Sequence, residues 1–334
     1  MHSNCWKYGK KTCVYASEIQ TFICKHRGRI LTHQNFRKIL YLYENWWICV
    51  GQLKSVRFEQ DTLYYIARRA FWSALTDSEY VSKLMIYIYQ ADAHFGCILC
   101  PGIGTSTQLF DDLEQNDLVA EYFLFHLYKK QVTFSGRRLA DVEVFYRSLW
   151  LHPCELSLII ESPKLLHLLL RYGALIRQDT EDTHINCRTS CYRTTGNILF
   201  IILCIVKSIL EMNPPGSSRP CQNHSPALLT KYNDLVLCGR IMLRASPQFG
   251  PKVFFRLMSG IIGRSLSEMD TAIEWVTKVA LPAMVNRTLV PMELKHICRL
   301  AIRKRLHARW ELPHGIKTLQ LPLVLLEYLD LYHD

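Results

Sequence analysis

No stretch of this sequence is apolar for long enough to cross a bilayer. The best candidate, Asn197–Val206, is ten residues long, about half of the ~20 that a helical span requires. A buried helix is expected there instead, continuing through Ile209, Leu210 and Met212 until Pro214-Pro215 stops it. The basic start, Met1–Lys11, lacks a following apolar segment, so a secretory leader is not expected. The thirteen cysteines follow no regular spacing; reduced thiols in the cytoplasm or nucleus are expected. Strand-like alternation is scarce. Gly102-Ile-Gly104-Thr-Ser106 lacks the Gly-Lys-Ser/Thr that completes a phosphate loop and is expected to be a surface turn. Cys97 and Cys100 lie too far in sequence from His184, Cys187 and Cys191 to match the close ligand spacings of zinc modules. No Ser-His-Asp arrangement or nucleophile elbow is evident. The expectation is a chain with no catalytic residue, no metal, no cofactor and no membrane association.

What is present is a globular composition, with 49% hydrophobic and 21% charged residues over 334 positions. The length suggests about two domains. The net charge of +11 is concentrated near the start: residues 1–40 carry eight lysines or arginines against Glu18. A solvated basic face is the expected reading of that segment, and nucleic-acid binding the minor alternative.

Apolar spacing near 3.6 predicts a succession of helices. Two cover 61–74 and 78–90, the second opened by Thr76 with Glu79 in a capping-box pattern. Another covers 116–131, with Leu118, Tyr122, Phe125 and Tyr128 near one face. A tight pair comes next, at 154–161 and 163–172. Here Ser162 is the expected N-cap, Pro163 the first helical residue and Gly173 the C-terminal stop. Helices are also expected over 226–243 and 253–264, with one more opened by Ser265 and Glu268.

The last forty-odd residues carry the sharpest pattern. Leu294, Cys298 and Ile302 are four apart, so each step advances the helix face by only about 40° and the three make one apolar stripe. Cys298 is a small, polarisable member of that stripe. Lys295, Arg299, Arg303, Lys304 and Arg305 are expected to form the solvated remainder of an amphipathic helix. Pro291 suits the approach to it, and Pro313 and Gly315 punctuate the stretch beyond its end. A second stripe comprises Leu321, Leu325 and Tyr328 or Leu329, with Pro322 in its first turn.

The two halves together, L-x-x-x-C-x-x-x-I and then L-x-L-P-x-x-L-x-x-Y-L, resemble a SOCS box. The resemblance implies that Leu294, Cys298 and Ile302 contact elongin C, in complex with elongin B, as a helix in a groove. It further implies that Leu319, Leu321, Pro322, Leu325, Tyr328 and Leu329 meet a cullin of the fifth type with its RING subunit. Gln320 departs from the pattern, standing where the first proline of that motif usually falls.

Upstream, Ser162–Ala174 is similar to the second helix and exit of an ankyrin repeat. Leu165, Leu166, Leu169 and Leu170 would pack on neighbouring helices and Gly173 would make the exit turn. Only this copy is well formed, and no T-P-L-H start precedes it. With the stretches Asn233–Leu243 and Leu312–Ile316, it gives the chain a resemblance to the ankyrin repeat and SOCS box family. The implied architecture is all-α: a degenerate ankyrin-like stack of helical pairs followed by a three-helix SOCS box. The implied division is a basic segment over 1–60, a recognition region over 61–290 and the box over 291–334. The implied function is that of a non-catalytic, substrate-recognising subunit of a ubiquitin ligase whose protein substrate the sequence does not name. The alternatives are a helical scaffold or a basic nucleic-acid adaptor.

Overall fold

The computed structural model describes residues 10–26, 30–50, 56–92, 95–99, 116–146, 149–176, 202, 205–206, 208–210, 226–248, 273–288 and 290–333. They are predominantly helical, and the chain divides into two compact units, Met1–Leu139 and Ala140–Asp334. That boundary falls inside the region expected to run from 61 to 290. No described helix is long and apolar enough to cross a membrane.

The first unit contains α1 (Lys10–Lys25), α2 (His33–Val50), α3 (Val56–Trp72), α4 (Ser78–Asp92), the single turn α5 (Gly96–Leu99) and α6 (Asn116–Lys129). α1 pairs with α2 and α3 with α4, while α6 lies against α4 and α5. The cap of α4 is Asp77 and not the expected Thr76. The Asp77 Oδ1 accepts the Glu79 N–H at 2.9 Å, and its carbonyl accepts that of Val81, so the side chain one residue closer to the helix takes the role. The face expected for α6 is also corrected. Val119, Ala120, Phe123, Leu124 and Leu127 are buried; of the four residues expected near one face, Tyr128 is buried and Tyr122 half-buried, whereas Leu118 and Phe125 are exposed. α6 is apolar around much of its circumference and meets neighbours on two sides, so periodicity alone does not select its inner face. The Tyr122 hydroxyl donates to the carbonyls of Ala70 and Leu75 at 3.3 and 2.9 Å, fastening the turn that ends α3.

The second unit begins its regular structure with a hairpin that the sequence pattern does not announce. β1 (Val144–Tyr146) and β2 (Leu149–Leu151) are antiparallel, with Phe145 opposite Trp150. α7 (Pro153–Ile159) starts one residue before the expected position because His152 caps it. The imidazole Nδ1 accepts the Cys154 N–H at 3.2 Å, and the Glu155 carboxylate accepts the His152 N–H at 2.8 Å, completing a capping box.

α8 (Pro163–Arg171) is as expected. The Ser162 Oγ accepts the Leu165 N–H at 3.2 Å and Pro163 is the first helical residue. Leu165, Leu166, Leu169 and Leu170 are buried. Gly173 takes φ +82°, and a Cβ there would fall 2.5 Å from the His307 ring. It therefore supplies both the left-handed turn and the close approach.

α9 (Pro226–Ala245) packs on α8, and its C-terminal half is buried. Ile202, Ile205, Val206 and Ile209 are helical and buried, in keeping with the buried helix expected there. A π-helical turn at Val276–Ala280 leads to α10 (Ala283–Thr288), which contacts α9. The helices expected over 253–264 and after Ser265 lie outside the described residues, as do the 102–106 turn, Cys100, His184, Cys187 and Cys191. The unit ends with α11 (Leu294–Ala308), a 3-10 turn at His314–Thr318 and α12 (Leu323–Leu329). These are the three helical pieces expected of the C-terminal module.

Candidate functional site

α11 faces the protein with its polar side. His296, Arg299, Arg303 and Leu306 are its buried residues, and Arg299 is 0% exposed. Arg299 and Arg303 were expected in the solvated remainder, so this is a reversal. Its cause is what α11 meets. An α-helix leaves its last four carbonyls without intrahelical partners, and three helix ends converge on this face. Arg299 donates to the carbonyls of Arg244, at the end of α9, and His333, at 3.2 and 2.6 Å. Arg303 donates to the carbonyl of Leu329, at the end of α12, at 2.9 Å and to that of Leu170 in the last turn of α8. His296 Nε2 donates to the Ser246 carbonyl at 2.8 Å. From α10, Arg287 donates to the Leu243 carbonyl at 3.0 Å. The negative ends of these helix dipoles offset much of the buried positive charge.

With Nε2 donating, His296 Nδ1 is left as the acceptor of Arg287 Nη2 at 3.0 Å. This is a neutral imidazole. Burial, chiefly, and the Arg287 and Arg299 charges hold its pKa down to about 4.

The opposite face of α11 is apolar and in solvent. Leu294 is 75% exposed, and Ile297 and Cys298 are exposed beside it. Ile302, the last member of the predicted stripe, is partly buried against the cluster of Leu306, Leu312, Ile316 and Leu329. Two of the three elongin-motif positions therefore stand free, and the third also braces the module's own small core.

The cullin-motif positions divide in the same way. Leu321, Pro322 and Leu325 are exposed, and Leu319 is partly buried against the same cluster. Tyr328 and Leu329 are buried. The Tyr328 ring lies 3.4 Å from the Arg299 guanidinium carbon, with Lys295 at 5.6 Å on a second approach. In place of those two, Leu323 and Val324 are exposed at 67% and 69%. The signal for them was present, as consecutive apolar residues directly after Pro322 in a short terminal helix. Ile297, three residues from Leu294, was likewise legible.

Among the described residues no group of three or more His, Cys, Asp or Glu side chains could hold a metal. The described face offers spaced apolar side chains, with Leu294, Ile297 and Cys298 exposed, the arrangement of a helix that binds in a groove.

Residues 290–330 match the SOCS box family model. A SOCS box indicates the elongin–cullin class of ubiquitin-ligase adaptors, generally binds elongin B/C and cullin complexes, and is typical of adaptors without catalysis of their own. No curated protein and no solved structure matches the chain.

Proposed function

We propose that this chain is a substrate-recognising subunit of an elongin–cullin ubiquitin ligase acting in the cytoplasm or nucleus. The cullin is of the fifth type, with its RING subunit, and the helical region before residue 290 selects a protein substrate. The observation that carries the reading is the outward apolar face of α11, with Leu294 75% exposed above a buried polar face that bonds helix-end carbonyls. Ubiquitin transfer occurs on other subunits. This chain contributes proximity, holding a substrate lysine near the conjugating-enzyme thioester so that the encounter becomes effectively intramolecular.

The recognition region is read as a degenerate ankyrin-like stack. Support comes from the hairpin followed by two helices in contact over residues 144–174, with the exit glycine at φ +82°, since an ankyrin repeat is a β-turn plus two helices. His152-Pro153, as N-cap and first helical residue, occupies the place of the missing Thr-Pro start.

The test is recovery of elongins B and C with the full chain. Leu294→Ala with Cys298→Ala removes anchors at an interface centre and costs about 2 kcal/mol or more, roughly thirtyfold in affinity. Recovery is lost while circular dichroism and thermal unfolding stay as in the parent chain. Undiminished recovery overturns the proposal.

A further inference from the structure

The family match ends at residue 330, yet the residues after it are held more tightly than a helix end requires. Leu331 is fully buried. The carbonyls of Leu331 and Tyr332 both accept from Arg244 of α9, at 3.2 and 2.9 Å. The carbonyl of His333 accepts from Arg299 of α11 at 2.6 Å. Asp330 pairs with Arg171 of α8, whose Nη2 and Nε lie 2.8 and 2.9 Å from Oδ2. The Asp330 carbonyl accepts from His167 Nε2, also of α8, at 2.9 Å. The Tyr332 ring stacks edge-on against His167 at 4.6 Å and lies 5.5 Å from the Arg171 guanidinium. Three elements before and within the box thus converge on four consecutive residues.

We propose that Asp330–His333 is a clasp that fixes the box to the ankyrin-like helix pair, with Arg171, Arg244 and Arg299 as its positioning residues. This rests on the proposed adaptor function. An adaptor that works by proximity benefits from a fixed angle between the surface that holds its substrate and the surface that holds the ligase, because misplacement erodes the intramolecular advantage. α8 belongs to the first region and α11–α12 to the second, and the clasp ties them alongside the bond that Arg303 of α11 gives the Leu170 carbonyl of α8. Arginine suits each place because a guanidinium presents several donors in a fixed fork, as Arg244 does to two consecutive carbonyls, Arg171 to the Asp330 carboxylate and Arg299 to the carbonyls of Arg244 and His333. The Arg171–Asp330 pair is the specifying contact: half of it alone leaves an uncompensated charge in a largely buried place.

The experiment places spin labels, carried on non-natural amino acids, at the exposed positions Lys164 of α8 and Lys304 of α11 in the full chain. The distance distribution between them is then measured. The parent gives one narrow distribution. Asp330→Arg loses it, giving a broad one, and the reciprocal swap Arg171→Asp with Asp330→Arg restores it. Arg171→Gln, a milder change, decides the matter if Asp330→Arg fails to fold. A merely structural role lowers the unfolding temperature without altering the distance in the molecules that remain folded. A distribution that stays narrow in both single variants, or a broadening that the swap does not repair, overturns the clasp. Elongin recovery is scored separately: its failure in the parent chain overturns the adaptor reading, while the distances still report on the clasp.

Discussion

α8 turns its leucines inward and Lys164 outward, whereas α11 buries a histidine and two arginines and holds Leu294, Ile297 and Cys298 in solvent. Both are amphipathic at the same period and both belong to the second unit. The difference lies in what each helix meets. α8 packs against α7 and α9, and burying each leucine there is worth about 1.5–3 kcal/mol. α11 meets the carbonyl ends of other helices, which need donors. Its apolar face is consequently left over by folding and open to a partner.

The sharpest way to break this comparison is to truncate a leucine from each helix. Leu166 is fully buried, and Leu166→Ala removes its transfer energy and leaves a cavity, costing about 3 kcal/mol of stability. Leu294→Ala changes stability by no more than about 0.5 kcal/mol, as exposed substitutions do. Urea unfolding of the two variants checks this. Equal losses would mean that α11 rests on its apolar side after all.

The polar face gives the next effect. Arg299→Ala takes their donor from the Arg244 and His333 carbonyls, each such loss costing about 1–3 kcal/mol when the group stays buried. Part of this is offset because a buried charge is also removed. The expected net is a destabilisation of about 2 kcal/mol, with Arg299→Lys recovering little of it. A neutral Arg299→Ala would show that water replaces the guanidinium freely and that the inward polar face is incidental.

A smaller effect comes from His296, neutral and bonded on both nitrogens, with a pKa near 4 against 6.5 when unfolded. Above pH 6.5 both states are neutral and the full stability is present. As pH falls from 6.5 toward 4 the unfolded state takes up a proton that the folded state refuses, and stability declines. In the first unit burial holds His126, bonded to Ser78, near 4 as well. Each unit therefore loosens over the same acid range. Urea midpoints at about pH 7.5, 6 and 5 should fall in order. His296→Gln should flatten the decline of the second unit alone.

The sequence made α8 legible in detail because each of its signals is local: Ser162, Pro163, the leucine spacing and Gly173 act within one helix. The outward apolar residues Leu294 and Cys298 of α11 were legible on the same ground, since their spacing is written within one helix. The inward arginines were not. Nothing in Arg299 or Arg303 announces the carbonyls of residues 170, 244, 329 and 333, which are brought together only by tertiary packing. The hairpin escaped because three-residue strands are too short to display alternation. The burial of Tyr328 and Leu329 was not legible, because it comes from tertiary packing at the end of α12, whose first turn with Leu323, Val324 and Leu325 is exposed.

The finest test of the comparison concerns the outward side of the box, at Gln320. Proline there requires an extended preceding residue, and Leu319 already has φ −70° and ψ 126°, within the range a following proline favours. Gln320 is exposed, and among the described residues its N–H donates to no backbone carbonyl. Gln320→Pro therefore loses no bond and acts mainly by narrowing the free chain, a change worth about 0.4–1 kcal/mol. Because Leu321 and Pro322 stay exposed, that stiffening also presents them to a cullin already ordered, and affinity rises by several-fold at most. Titration of a fifth-type cullin against the elongin-bound chain measures it. Leu321→Ala with Pro322→Ala is the companion, expected to release the cullin and spare the elongins. Loss of both partners in the double variant would join the two exposed segments into one surface. Weaker cullin binding by Gln320→Pro would assign the glutamine side chain a contact of its own.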